Sequence, residues 1–420
     1  MHFPLYRLTP LAGLAVLVGI CVAFSRNRKA IDWKLVAWGL GLQVVFGFLV
    51  LDTAPGQWFF SKLNDGTMAL LAFTQEGTNF LFRSFVSGKL DNSFVNFTFN
   101  VLPTIIFLSS LMTVLYYLGI MQRIVYFFAV VMQKTMGTSG AETLSTAANI
   151  FVGQTEAPLV IKPYLPKLTN SELMLVMVGG FANTAAGVLA AYVGMLKDFV
   201  PGVAGHLIAQ SVMSAPAAIV CAKIVFPEDG KPETAGTQVR MTEQTDANVI
   251  DAAARGASEG MHLALNVAAM LLAFIALIAM ANAILRAAGS VVGLPGVSLE
   301  LILGYVSWPF AFLLGIPAGE CLTIGKLIGV KTGVNEFVAY LQMSDMLKAA
   351  ATSISPRSAI ITAYALCGFG NFSSIAIQIG GISALAPNRR HDLAKLGLAA
   401  MLTGCLATFM TASIAAILIP

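Results

Sequence analysis

The chain has 420 residues, of which 57% are hydrophobic and only 11% are charged, and its mean hydropathy is +0.79. Soluble domains carry about 25% charged residues, so this composition excludes an ordinary soluble fold and indicates one polytopic membrane domain. The net charge of +4 is modest and lies in short loops, which makes it a signal of topology and argues against nucleic acid as a partner.

The N-terminal region predicts an uncleaved helix followed by a returning one. Residues 11–24 form the first apolar segment, and Arg26, Arg28 and Lys29 follow it. A cleavable signal has its positive charges before the apolar run, and cytoplasmic loops are enriched in Lys and Arg. We therefore expect the N-terminus outside, the basic turn in the cytoplasm, and a second span at residues 34–51.

The next three segments differ in character. Residues 62–90 mix aromatic and charged side chains, which is typical of an interfacial amphipathic helix; a poorly hydrophobic span is the alternative. Residues 101–119 form a clear span. Residues 124–136 are apolar but too short to cross, because a span takes about 20 residues.

A polar cluster interrupts the apolar sequence within residues 142–168. Gly153-Gln-Thr-Glu156 lies between two half-length apolar arms. A central acid costs about 2.5 to 3.5 kcal/mol to insert, and non-helical backbone at membrane depth is tolerated only inside protein or beside a watery cavity. The pattern predicts a re-entrant hairpin whose tip belongs to a binding site. An apolar helix at 172–196, interrupted at Gly179–Thr184, and a span at 203–226 follow.

The middle of the chain connects two similar halves. Residues 227–257 are hydrophilic and predict the one sizeable exposed linker. A long apolar helix at 258–288 and a further apolar piece at 297–316 follow.

The earlier pattern then returns. Residues 319–349 again have short apolar arms around a polar tip, and 357–384 again form an interrupted helix. A basic turn at 388–391 and a final span at 393–418 place both termini outside, with about eight crossings.

Two short signatures occur in both halves in the same order. The hairpin tips read Gly153-x-x-Glu156 and Gly333-x-x-Glu336, and the interrupted helices read Gly180-Phe-Ala-Asn183 and Gly368-Phe-Gly-Asn371. Paired interrupted segments are the best sequence indication of a transporter's binding site. We predict an all-α polytopic membrane protein with about eight transmembrane helices, two re-entrant helical hairpins, an interfacial helix and an internal repeat. The parity of the crossings favours an inverted repeat.

This organisation divides the chain into five regions. They are scaffold helices with the interfacial helix at 1–135, a first transport repeat at 136–226, the linker at 227–257, a scaffold and a connecting helix at 258–316, and a second transport repeat at 317–420.

The interrupted helices predict the chemistry of the ligand. Their broken ends present free N–H and carbonyl groups, which bind a polar solute and a small cation. The polar residues of the tips are Gln154, Thr155, Glu156, Asn335, Glu336, Asn371, Ser373 and Ser374. Such a set suits ribose hydroxyls and the edge of a base. A nucleotide would call for a cluster of Arg or Lys, so an uncharged nucleoside is favoured.

Three motifs in these segments resemble the signatures of concentrative nucleoside transporters, especially their bacterial branch. They are Gly153-Gln-Thr-Glu-Ala-Pro-Leu-Val160, Asn335-Glu-Phe-Val-Ala339 and Gly368-Phe-Gly-Asn-Phe-Ser-Ser-Ile-Ala-Ile377. The likeness extends to residues 27–31, 76–80 and 247–251, and so covers nearly the whole chain.

The resemblance implies a trimeric, sodium-coupled importer in the bacterial inner membrane, with a scaffold and a mobile transport region in each subunit. It implies a substrate site at Gln154, Thr155, Glu156, Val188, Leu263, Glu336, Phe369, Asn371 and Ser374. It also implies a sodium site at Asn149, the carbonyl of Val152, Asn183 and Thr184. Asn183 departs from the Ser or Thr expected there, and some relatives use protons, so proton coupling is the alternative.

Two other classes of protein compete with a transporter. A membrane-embedded enzyme is one, because two acids are capable of general acid–base work, but no nucleophile or metal set accompanies them. The five cysteines lie in apolar segments without Cys-x-x-Cys spacing, and no cofactor is expected besides sodium as coupling ion. A passive channel is the other, although chemically diverse tips suit the recognition of one solute better.

Overall fold

The structure is a computed structural model that describes residues 9–51, 53–68, 102–239, 246–291, 293, 296–349 and 354–419. Within these ranges the fold is helical, with short 3₁₀ turns and no strand. The helices of the first half are α1 Thr9–Ala23, α2 Trp33–Leu51, α3 Ala54–Met68, α4 Leu102–Tyr117, α5 Ile120–Met136, α6 Gly140–Ala148, α7 Asn170–Ala182, α8 Ala186–Leu196 and α9 Val203–Val225. Those of the second half are α10 Val249–Val291, α11 Leu299–Leu313, α12 Ala318–Gly333, α13 Glu336–Lys348, α14 Pro356–Leu366, α15 Phe372–Leu385 and α16 Arg390–Leu418.

Three of the described helical segments are long and apolar enough to cross a membrane. They are Asn170–Leu196, Val203–Val225 and Pro387–Leu418, and the number rises to five if two bent helix pairs each count as one span. An apolar all-helical chain of this kind fits a bilayer, because helices satisfy their own backbone hydrogen bonds there.

The predicted interruptions are present as breaks in the helices. Helix α7 ends at Ala182 and α8 begins at Ala186, while α14 ends at Leu366 and α15 begins at Phe372. Each break lies at the predicted Gly-Phe-x-Asn motif.

The first predicted hairpin is less helical than expected. Its first arm is α6, but its second arm consists of two 3₁₀ turns, Ala157–Ile161 and Leu165–Lys167. Pro158, Pro163 and Pro166 explain the difference, because a proline removes a backbone donor and clashes with the preceding helical turn.

The predicted linker is shorter and less exposed than the sequence indicated. Helix α10 begins at Val249 and not at residue 258, because the side chain of Asn248 accepts hydrogen bonds from the backbone of Ile250 and Asp251. Thr234 is buried, and its side chain accepts a bond of 3.0 Å from the amide of Ala141 at the start of α6. The linker is therefore docked on the first hairpin.

The structure describes only part of the predicted interfacial helix. Helix α3 ends at Met68, and residues 69–90 of the predicted segment lie outside the described residues.

The C-terminal helix α16 lies at the centre of the packing. It contacts α1, α2, α7, α9, α14 and α15. Small residues allow these close approaches: a Cβ on Gly404 would stand 2.4 Å from Cβ of Phe181 on α7.

The two broken helices cross each other at their breaks. The amide of Gly368 donates to Oγ1 of Thr184 at 2.8 Å, and the amide of Phe369 donates to the carbonyl of Asn183 at 3.3 Å. Gly368 has φ +109°, and a Cβ there would lie 2.8 Å from the carbonyl oxygen of Ala182. Both facts require glycine at this crossing.

A buried charged network fixes the start of the first hairpin. Nζ of Lys223 on α9 lies 2.6 Å from Oε2 of Glu142 on α6, and these side chains are 7% and 2% exposed. Oγ of Ser139 donates to Glu172 in the first turn of α7. Glu142 and Glu172 each close a capping box, so one network joins α6, α7 and α9.

Candidate functional site

The second tip brings together the beginnings of two helices. Asn335 caps α13, with Oδ1 accepting from the amide of Val338 at 2.8 Å, and Glu336 is the first residue of that helix. Asn371 caps α15 in the same way through the amide of Ser374 at 2.9 Å. Helix N-termini present free N–H groups and a positive dipole end, which suits anionic or hydroxyl oxygens.

Glu336 and Asn371 are hydrogen-bonded to each other at this junction. Nδ2 of Asn371 donates to Oε2 of Glu336 at 2.7 Å, and the hydroxyl of Tyr192 donates to Oε1 at 3.0 Å. Both Glu336 and Asn371 are buried. The carboxylate is therefore held by two donors and retains lone pairs for a ligand hydroxyl.

Gln154 of the first tip contacts the same junction. Its Nε2 lies 3.4 Å from Oγ of Ser374, whose amide bonds to Asn371. Gln154, Ser374, Asn371 and Glu336 thus form one continuous polar chain that joins the two tips. The sequence predicted these residues as one site, and the structure brings them together.

Glu156 lies at the open end of the first tip. Unlike Glu336, its side chain is exposed, and Oγ1 of the half-buried Thr155 donates to its Oε1 at 3.1 Å. Tyr116 and Glu259 lie within electrostatic range of it. No Lys or Arg in the described part of the chain forms an ion pair with Glu156 or Glu336, although the buried ammonium of Lys331 lies within electrostatic range of Glu336.

The predicted cation residues lie at the break of α7 and behind the first tip. Asn149 is 1% exposed, and neither atom of its amide has a hydrogen-bond partner among the described residues. Asn183 accepts a short bond from Ser214 at Oδ1, and Oγ1 of Thr184 is used by Gly368. The half-buried Val152 follows Asn149 in the tip. A buried, unpaired amide oxygen fits a hard cation such as Na⁺, which takes oxygen ligands.

Three further predicted residues are apolar and belong to one hydrophobic core. Val188 is buried on α8, and Leu263 on α10 and Phe369 at the second break pack against the same hydrophobic core. The amide of Ala186 donates to the carbonyl of Phe151 at 3.2 Å, which places α8 directly against the first tip.

Sequence reasoning missed two polar residues of this region. Tyr192 donates to Glu336, and nothing in its local sequence indicates that contact. Gln378 donates to Oε1 of Gln154 at 3.1 Å. A signal for Gln378 existed, because it is a polar residue in the apolar helix α15, four positions after Ser374.

One pentapeptide has the spacing of a hydrolase nucleophile motif. Gly256-Ala-Ser-Glu-Gly260 reads Gly-x-Ser-x-Gly, but it lies inside the continuous helix α10. A nucleophile elbow needs a sharp turn from strand to helix, so the pentapeptide is not one. A polar site shared by two broken helices, in an apolar helical chain, instead defines a membrane transporter.

Comparison with known families identifies the kind of transporter. The family model "Na+ dependent nucleoside transporter C-terminus" matches residues 206–416, its N-terminal counterpart matches 12–85, and the "Gate" model, described as nucleoside recognition, matches 98–199. The chain belongs to the Na⁺-dependent nucleoside transporter family, whose members are transporters and not enzymes.

Individual relatives agree with this assignment. An uncharacterized transporter of Haemophilus influenzae is 43% identical, with 98% of both chains covered. Sodium/nucleoside cotransporter 1 of Rattus norvegicus is 41% identical over 98% of this chain, which spans 64% of that relative's length.

Solved structures show the same fold. CNTnw in an inward-facing substrate-bound state is 43% identical with a TM-score of 0.90 and 98% of both chains covered. A CNTnw variant in an outward-facing state is 42% identical with a TM-score of 0.90, covering 99% of this chain and 98% of the other.

Proposed function

We propose that this protein imports nucleosides across the bacterial inner membrane and is driven by an inward sodium gradient. The observation that carries the proposal is the polar chain from Gln154 through Ser374 and Asn371 to Glu336. It joins an amide to a hydrogen-bonded carboxylate, and no Arg or Lys in the described residues forms an ion pair with that carboxylate. That combination favours an uncharged solute with a hydrogen-bonding base and a hydroxylated sugar.

Each end of this chain has a distinct role. Glu336 and Asn371, with Ser374, bind the ribose hydroxyls, because a carboxylate accepts hydrogen bonds and an amide both donates and accepts. Gln154, Thr155 and Glu156 bind the base. Val188, Leu263 and Phe369 pack around the ligand and exclude water.

Sodium binds beside the nucleoside in this proposal. Asn149 offers the unpaired amide oxygen, and Val152, Asn183 and Thr184 supply the other ligands through side-chain or carbonyl oxygens. The hydrogen bond from Ser214 orients the amide of Asn183, and this amide takes the place of the hydroxyl expected at that position. The two breaks are hydrogen-bonded to each other, so the ion and the nucleoside bind at the same junction.

Transport proceeds by alternating access. The two hairpins and the broken helices move as one transport region against scaffold helices, in each subunit of a trimer whose subunits have both termini outside. One positive charge moving down about 100 mV yields roughly 2.3 kcal/mol. At about 1.36 kcal/mol per decade, this supports about fiftyfold accumulation before the chemical gradient contributes.

Uptake of radiolabelled nucleoside into proteoliposomes tests the proposal. We expect accumulation above equilibrium with an inward sodium gradient, and at least tenfold less uptake for Glu156→Gln, which removes the charge at the base end of the site. Glu233→Gln is the matched control, because Glu233 is an exposed acid paired with Lys167 outside the site. Accumulation driven by a proton gradient alone would establish proton coupling instead, and uptake that never exceeds equilibrium would contradict coupled transport.

Sodium binding is tested separately by thermal unfolding in detergent. A ligand that binds only the folded state at 100 times its Kd stabilises it by about 2.7 kcal/mol. We expect sodium, compared with choline, to raise the Tm of the wild type but not of Asn149→Ala. An equal rise in both proteins would remove Asn149 from the ion site.

A further inference from the structure

One face of helix α15 lies against the tip of the first hairpin. Ser374, Gln378 and Gly381 occupy positions i, i+4 and i+7 of that helix, so they share a face. Ser374 and Gln378 contact Gln154, and a Cβ on Gly381 would stand 2.6 Å from Cγ2 of Thr155. The second repeat therefore supports the part of the first tip that we assign to the base.

Gln378 is built into this contact. Its side chain is 0% exposed, and it lies over Gly180 of α7, where a Cβ would come within 2.6 Å of Nε2 of Gln378 and 2.9 Å of Cβ of Gln154. The space above Gly180 thus holds the Gln154–Gln378 pair. Gln378 makes no direct contact with the ribose residues Glu336 and Asn371 in the described structure.

The backbone decides which way the Gln378 amide points. Nε2 of Gln378 lies 3.1 Å from the carbonyl oxygen of Met177, which only accepts hydrogen bonds. The atom facing Met177 must therefore be the amide nitrogen. Its second hydrogen then points to Oε1 of Gln154, also at 3.1 Å.

The orientation of Gln378 is passed on to Gln154. Because Oε1 of Gln154 accepts from Gln378, Nε2 of Gln154 faces Ser374 and the ligand. One N–H of Gln154 bonds to Oγ of Ser374, which we assign to the sugar, so the second N–H of Gln154 is the donor left for the base. A free donor at this edge recognises an acceptor on the base.

We propose that Gln378 is a positioning residue that makes the base site select nucleosides with a carbonyl oxygen at the edge facing Gln154 over their amino counterparts. This inference rests on the proposed nucleoside transport and deepens it by naming the base chemistry. An amino group at that edge would place its hydrogens against the free N–H of Gln154.

Paired substrates test the proposal, because uridine and cytidine, or inosine and adenosine, differ by a carbonyl against an amino group and, beside it, by a ring N–H against an unprotonated ring nitrogen. In wild-type proteoliposomes we expect uptake to favour the carbonyl member of a pair by about fivefold, the size of one hydrogen bond. In Gln378→Met nothing fixes the orientation of the Gln154 amide, so the ratio of carbonyl to amino uptake should fall to about one. In Gln378→Glu the introduced carboxyl, protonated so that its O–H donates to the Met177 carbonyl, accepts from Gln154 with its other oxygen and reverses the Gln154 amide, so the ratio should fall below one.

Gln43→Met is the matched control. Gln43 is another fully buried glutamine, bonded to the carbonyl of Gly39 and to Sδ of Met410, away from the site. It should keep the wild-type ratio, which separates the positioning role from the loss of any buried amide. Where a variant transports poorly, the increase in Tm that each nucleoside causes in detergent ranks the two members of a pair, because stabilisation grows with the logarithm of affinity.

The possible failures are distinguishable. A wild-type protein that neither transports nor binds any of the four nucleosides contradicts the proposed function itself. An active wild type with no carbonyl preference, or with a preference that Gln378→Met and Gln378→Glu leave unchanged, contradicts only the role of Gln378.

Discussion

At the scale of single residues, Asn371 performs two tasks with one side chain. Its Oδ1 caps α15 through the amide of Ser374, and its Nδ2 donates to Glu336. A carboxylate in this position would keep the cap but lose the donor. An amide side chain is therefore able both to cap the helix and to donate a hydrogen bond to the buried Glu336.

The two tasks can be separated by substitution. Asn371→Ser and Asn371→Ala both lose the donor to Glu336, so both should lose at least tenfold of nucleoside uptake, since hydrogen bonds to charged groups contribute about 1.5–3 kcal/mol. Serine still caps a helix, so only Ala should lose a further increment of about 1 kcal/mol in stability. Uptake assays and thermal unfolding of the same preparations measure both. Wild-type uptake by Asn371→Ser would contradict the role of the Asn371–Glu336 bond.

At the scale of elements, the site depends on the crossing of the two broken helices. Gly368 combines a left-handed φ of +109° with a close approach to the carbonyl of Ala182. The break between α14 and α15 thus packs directly against the break between α7 and α8. The tips are held together through this contact as well as through the polar chain.

Gly368→Ala should disrupt this crossing. The added Cβ is strained by the backbone conformation and meets the Ala182 oxygen at 2.8 Å, so we expect a lower Tm and loss of uptake. Gly380→Ala is the matched control, because Gly380 lies inside α15 with nothing within 4 Å of the added atom. Gly380→Ala should raise the Tm slightly, since alanine in a helix is more favourable than glycine by about 1 kcal/mol. Equal melting temperatures for the two variants would show that the crossing tolerates a side chain.

The charged network at the start of the first hairpin is a second element-scale feature. Glu142→Gln keeps the shape of the capping box, but among the described residues it leaves the buried Lys223 with one carboxylate, Glu228 at 3.4 Å, and the hydroxyl of Ser171 at 3.0 Å. Loss of one partner from a buried pair destabilises by about 3 kcal/mol or more. Glu228→Gln should have a smaller effect, because the Glu228 side chain is 25% exposed. Thermal unfolding compares them, and a larger loss for Glu228→Gln would contradict the ranking.

At the scale of the whole molecule, the chain packs α7, α14 and α15 against α16 and leaves many large apolar side chains exposed. Examples are Trp38, Phe48, Phe127 and Tyr305. Exposed apolar surface of this extent needs lipid or another subunit to cover it. It fits a membrane-embedded assembly.

The trimer that the family resemblance implies gives a whole-molecule prediction. Native mass spectrometry of the protein released from nanodiscs should give a complex of three 44.3 kDa chains. A protein that is monomeric in a bilayer yet transports at full rate would exclude the trimer as a requirement for function.

The sequence by itself determined the membrane class and the position of nearly every described helix, and it predicted the residues of the candidate site. Hydrophobic segments are long and local, so composition specifies them directly. The polar tips were visible because charged and amide groups are expensive in an apolar chain. Glu336, Asn371 and Gln154 therefore stood out before any fold was known.

Only the tertiary structure decided how these residues meet. The bonds from Tyr192 to Glu336 and from Gln378 to Gln154 join positions 144 and 224 residues apart, and no local pattern encodes such pairing. The prolines of the first hairpin made its second arm 3₁₀, and the docking of Thr234 buried part of a linker that reads as hydrophilic. Side-chain contacts between distant segments depend on how the helices cross, and the crossing is set by packing and close backbone approach at residues such as Gly368 and Gly404.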